Sequence, residues 1–188
     1  MCEAHPVSNG MDKIITVENK KDEKLLRQKT RPFDFSKFSR REAQELVKKM
    51  RGFMKQANGV GLSANQIGLN YRVFVAQVPD SQGHLKFYAI FNPEITKTSN
   101  EKDVLEEGCL SVPHKYGAVE RWNKITLTGF DSRAKKIKIK AWGLLARVFQ
   151  HEVDHLDGKL FIDKAKSLQE VPVSERLKKR EEEIQSKK

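Results

Sequence analysis

The run from Trp142 to His155 constrains this chain more than any other stretch, because it reads as a buried helix that ends in metal-binding chemistry. Leu144, Leu145, Val148 and Phe149 recur at helical spacing from a start near Gly143, and Gly158 marks the stop. An α-helix turns about 100° per residue, so His151 and His155 stand one turn apart on one face, close enough to share an ion. Glu152 lies beside that face. It is free to take a proton from a metal-bound water rather than to bind the metal itself.

Two histidines are too few for a catalytic site, which usually draws three ligands from the protein and keeps the rest for water or substrate. The candidates elsewhere are Cys2, Cys109, His5, His84, His114 and the carboxylates. Cys109 is the best of them. It lies in the short segment from Glu106 to Pro113, with Gly108 and Pro113 where a strand would bend or stop. His84 falls in a hairpin loop and reads as a solvated turn residue, and Cys2 has no surrounding pattern.

Three stretches in order, Gly59-Val60-Gly61-Leu62-Ser63-Ala64-Asn65-Gln66, Glu107-Gly108-Cys109-Leu110-Ser111 and Gln150-His151-Glu152-Val153-Asp154-His155, resemble in order and spacing the signature motifs of the peptide deformylases. Taken alone, an internal cysteine is more often packing than ligand. The motif reverses that preference for Cys109. The family usually carries a second alanine where this chain has Ser63.

The resemblance implies a metal-dependent hydrolase of the cytoplasm that removes the formyl group from the N-terminal formylmethionine of nascent polypeptides. It implies Cys109, His151 and His155 as the metal ligands and Glu152 as general acid and base. A metal on those ligands would lower the pKa of its water towards about 7. Gln66 and the backbone N–H of Leu110 would donate to the oxyanion, at about 3 kcal/mol per donor. Val60, Leu105, Leu144 and Val148 would line the methionine pocket, and Gly61 would offer main-chain hydrogen bonds to the peptide. Spacing does not choose the ion. The family points to Fe2+ in the cell, with Zn2+, Ni2+ or Co2+ compatible with the same donors.

The rest of the chain reads as α+β: antiparallel sheets around the central helix with its HExxH metal motif, an N-terminal amphipathic helix and a C-terminal helix. Between Ser39 and Gln56, Ala43, Leu46, Val47, Met50, Phe53 and Met54 recur at three and four, and Ser39 with Glu42 forms a capping box. Residues 11–31 read as a strand or extended arm and a turn, anchored by Leu25 and Leu26. The glycines at 59 and 61 suggest a loop with positive φ. Tyr71 to Val78 with Leu85 to Phe91, and Ile125 to Phe130 with Lys136 to Ala141, read as hairpins. Asn92-Pro93-Glu94 would close the first pair, and Tyr116-Gly117 would turn at the rim of the site. Arg121 has the spacing to pair with Glu107.

At 188 residues the chain fits one domain over 1–188, with 174–188 a charged C-terminal helix or tail. No apolar run approaches the ~20 residues that cross a bilayer, and the N-terminus has no apolar signal core. Two cysteines cannot staple a fold. The formal charge of +11 fits either an anionic partner or a solvated, lysine-rich surface such as the alternating Lys136, Lys138 and Lys140, and the resemblance names the ribosome as a candidate, met through the basic surface and the terminal helix. No sequence-specific nucleic-acid motif and no membrane partner is expected.

Two rivals compete with this reading. A general metallopeptidase would take a downstream ligand such as Asp157 or Asp163. A basic binding module with a structural metal would close its site with a fourth ligand, for which His114 is the candidate.

Overall fold

In the computed structural model, which describes residues 13–171, the organising strand is β2 (Val73–Pro79). It is nearly all apolar because both of its faces are covered. Val73 and Val75 pack with α2 (Arg40–Gln56), while Phe74, Ala76 and Val78 pack with α3 (Gly143–Leu156). Alternation along one strand thus divides the core into two, one on each side of a sheet.

That sheet is antiparallel, in the order β1 (Gly61–Ser63), β2, β3 (Leu85–Thr98), β6 (Lys124–Phe130), β7 (Lys136–Trp142). A second, three-stranded sheet runs β4 (Lys102–Cys109), β5 (Val112–Trp122), β8 (Leu168–Glu170). The α+β reading and both hairpins stand. On β7 the lysines 136, 138 and 140 are exposed and the isoleucines between them are partly buried, as period two requires. The amphipathic helix α2 carries the capping box: Glu42 N–H donates to Ser39 Oγ, and Glu42 Oε2 accepts from Ser39 N–H. Among the described residues no helix is long and apolar enough to cross a membrane. Cys2, His5 and the segment expected as a C-terminal helix lie outside the described residues.

Five local expectations are corrected. Residues 11–31 hold a helix, α1 (Lys20–Leu26), because Asn19 Oδ1 caps it by accepting from the N–H groups of Lys21 and Asp22 at 2.9 and 3.2 Å. Leu26 anchors it, fully buried. Asn92-Pro93 does not end its strand. β3 runs on to Thr98 through a register shift, with Asn92 at φ 49° and its side chain bonded to both Phe33 N–H and Phe33 C=O. Tyr116 and Gly117 lie mid-strand in β5, paired with Gly108 and Glu107 on one side and Gln169 and Leu168 on the other. Pro113 also lies inside β5 rather than ending a strand.

The fifth correction concerns Gly59 and Gly61. Neither has a positive φ, and Gly61 opens β1. They are small because of what approaches them: a Cβ on Gly59 would lie 2.7 Å from Leu110, and one on Gly61 would lie 2.2 Å from a Glu152 carboxylate oxygen.

Candidate active site

Cys109 ends β4 at a two-residue turn, Leu110-Ser111, and pairs across it with Val112. The register shifts between Gly108 and Cys109, so the cysteine is re-aimed out of the ladder. Gly108 is needed there because the Tyr116 ring lies where its Cβ would be, at 2.5 Å. Ser111 N–H donates to the Cys109 sulfur at 3.3 Å, which holds the side chain in place across the turn. An extended arm ties this turn to the first motif: Val17 N–H donates to Ser111 C=O and Ile15 N–H to Gln66 C=O, both at 2.9 Å.

From the other side, α3 delivers His151 and His155. The ligand atoms of Cys109, His151 and His155 all lie within 4.8 Å of one another. Cys109 Sγ is 3.1 Å from His155 Nε2. His151 Nδ1 is 3.0 Å from Glu107 Oε2, which leaves its other ring nitrogen for the cluster. One sulfur and two imidazoles suit a divalent ion of borderline softness, and a carboxylate behind an imidazole is the usual way such a ligand is oriented. Burial and the neighbouring His151 hold His155 well below the ordinary imidazole range, so it stays neutral. Burial would lower His151 too, but hydrogen bonds with Cys109 and Glu107 push it up to about 10. A cation binding there displaces a proton.

Behind the cluster stands a buried charge network. Arg121 donates to both Glu107 oxygens at 2.9 Å and also to Asp154, and Arg147 donates to Glu107 at 2.7 Å. Lys164 reaches Asp154 at 2.6 Å. Burial alone would raise the Glu107 carboxyl, but Arg121 and His151 hold it well below the usual carboxylate range. Sequence reasoning paired Arg121 with Glu107 but missed Arg147 and Asp154. Both sit on α3 one turn from a histidine, a spacing that was visible but gave no sign of their partners.

Glu152 is 3% exposed. Its Oε2 accepts from Ser63 Oγ at 2.7 Å, and its Oε1 lies over Gly61. Burial pushes it up to about 7, against the charge of His151 and the Ser63 hydrogen bond. A cation among the donors would pull it back down. Gln66 is oriented by the backbone of β1: its Oε1 accepts from Ser63 N–H at 2.8 Å. Its Nε2 donates to Ser111 Oγ at 3.1 Å and lies 3.6 Å from the Cys109 sulfur. Sequence reasoning missed Ser63 and Ser111 as partners of the site.

These groups open into a cleft of about 390 Å3. Val60, Gly61, Leu144 and Val148 line it, with Gln66, Leu110 and Glu152. Leu105 does not: it is 55% exposed and sits four residues before Cys109 on β4, about 13 Å away along an extended strand. His114 lies on the rim but outside the ligand cluster. Asp157 is paired with Arg72 at 2.7 Å and Asp163 with Arg27, so among the described residues neither rival's extra ligand joins the cluster. His84 is exposed in its loop.

Comparison with known proteins agrees with this geometry. A family model described as polypeptide deformylase matches residues 11–171. A peptide deformylase of Roseiflexus castenholzii is 37% identical over 172 residues, covering 85% of this chain and 91% of that one. That of Halothermothrix orenii is 48% identical over 119 residues, 63% of this chain and 75% of its own. Among solved structures, a probable peptide deformylase from a Synechococcus phage superposes with TM-score 0.72 at 39% identity, covering 81% of this chain and 98% of that one. The Thermotoga maritima peptide deformylase gives 0.73 at 32%, covering 84% and 99%.

Proposed function

The chain belongs to the polypeptide deformylase family, and from that premise we propose that Glu152 moves the proton in its reaction beside an ion held by Cys109, His151 and His155. The reaction is hydrolytic removal of the N-terminal formyl group from nascent polypeptides. The observation that carries the residue assignment is the convergence of one sulfur and two imidazoles within 4.8 Å at a cleft that the Glu152 carboxylate also lines.

When bound, a divalent ion supplies Lewis acidity that lets a water lose its proton near neutral pH. Glu152 accepts that proton on its carboxylate and later returns it to the departing amine nitrogen. Gln66 Nε2, beside the Cys109 sulfur, and the Leu110 N–H donate to the oxyanion formed from the formyl oxygen. β1 is an edge strand paired with β2, so the peptide can lie along Gly61 as a further strand. Val60, Leu144 and Val148 form the apolar wall for the methionine side chain.

In the cell the ion of this reading is Fe2+, with Zn2+, Ni2+ and Co2+ able to replace it on the same donors. The reading places the enzyme in the cytoplasm as one catalytic domain whose basic charge meets the ribosome. The test is formate release from a formylated methionyl peptide by anaerobically purified protein whose metal content is measured alongside. Glu152→Gln should lower kcat by about a thousandfold with the ion retained. Full activity in that variant, or none in metal-replete wild-type protein, overturns the assignment.

A further inference from the structure

We propose that Ser63 is a positioning residue for Glu152, its hydroxyl fixing one carboxylate oxygen so that the other is presented at the cleft over Gly61. The inference rests on the reading of Glu152 as the proton carrier. Three observations carry it. Ser63 Oγ donates at 2.7 Å to Glu152 Oε2, and both residues are buried, at 0% and 3% exposure. The second carboxylate oxygen packs against the Gly61 Cα, where a Cβ would stand 2.2 Å away. The carboxylate is thereby clamped between a donor and a missing side chain, two residues apart on one strand.

The donor is itself fixed. Ser63 ends β1, pairs with Phe74 and gives its N–H to Gln66 Oε1, so its hydroxyl sits on a rigid platform. The hydroxyl has one hydrogen and two acceptors in reach, Glu152 Oε2 at 2.7 Å and the Glu152 backbone oxygen at 3.0 Å. A hydrogen bond to a carboxylate is charge-assisted and the shorter of the two, so the side chain wins. If the hydroxyl served only the helix backbone, its loss would soften α3 without touching the chemistry. The deformylase-like pattern usually has alanine at this position, and a methyl there could hold nothing by hydrogen bonding.

The test compares full-length, metal-replete Ser63→Ala, Ser63→Thr and Glu152→Gln with wild type on a formylated methionyl peptide. Ser63→Ala should lower kcat about tenfold with KM, metal content and Tm unchanged, and Ser63→Thr, which keeps the hydroxyl, should restore most of the rate. In a Glu152→Gln background, Ser63→Ala should cost nothing more. The infrared carboxylate band assigned to Glu152 by its loss in Glu152→Gln should shift in Ser63→Ala. An unchanged kcat and band, a rise in KM alone, or a fall in rate explained by lost metal would each overturn the proposal. Should Glu152→Gln itself release formate normally, the reading of Glu152 fails instead, whatever Ser63→Ala does.

Discussion

The two flanks of α3 are held by opposite chemistry. Towards the five-stranded sheet it presents Ala146, Phe149, Val153 and Leu156, with Phe149 packed on Phe74 and Tyr88 at ring distances of 5.4 and 5.3 Å. Towards the three-stranded sheet it presents Arg147, Gln150, His151 and Asp154, every one tied to β4 or β5 by hydrogen bonds. The apolar flank supplies stability, at about 25 cal/mol for each Å2 removed from water. A buried ion network supplies little net stability, since desolvation offsets most of its attraction. What it supplies is direction. Fixed hydrogen bonds aim His151 at Cys109, which non-directional packing cannot do. The comparison teaches that one helix is glued by one face and aimed by the other.

Substitutions on the two flanks can break that division. The largest loss is expected for Arg121→Ala, which removes the guanidinium shared by two buried acids, Glu107 and Asp154, and should cost about 5 kcal/mol in denaturant unfolding. Metal affinity should also fall by about 10- to 100-fold, because the acid that orients His151 loses its bidentate partner. Phe149→Ala comes next. It should cost about 4 kcal/mol through the cavity it leaves, yet titration should find metal affinity unchanged in the folded protein. Were Phe149→Ala to weaken metal binding as much as Arg121→Ala does, the division of labour would be gone.

Glu107→Gln sharpens the comparison by keeping shape and removing charge. We expect a loss of about 2 kcal/mol, as an amide N–H meets the guanidinium donors, and metal binding weaker by about tenfold. The smallest effect belongs to a region that touches neither flank. Asn19→Ala removes the α1 cap, should lower stability by about 1 kcal/mol, and should leave kcat and metal content unaltered.

Legibility followed the range of the interactions. The Ser39 and Glu42 box and the helical spacing of the α3 apolar residues are local patterns, and both helices formed where that spacing places them. The Asn19 cap was equally local, but the charged run after it masked the short helix. The turn expected at Tyr116-Gly117 failed because glycine there answers to Ser167 and Ala165 packed above it, not to the backbone's own φ. Arg147 and Asp154 carry no local sign of their partners. They are 7% and 8% exposed because β4 and β5 bring charges of opposite sign against them.

By itself the sequence determined the chemical vocabulary: two imidazoles one turn apart, a carboxylate between them, and a cysteine in a glycine-flanked segment that resembles one family. Helical periodicity and residue chemistry are properties of neighbours, so neighbours suffice to read them. The meeting of Ser63 with Glu152 across 89 positions, the hydrogen-bonded aim of His151, and the exclusion of Leu105 from the cleft were decided only by the tertiary structure. They depend on strand register and sheet order, where a shift of one residue turns a side chain to the opposite face, and no local pattern encodes that choice.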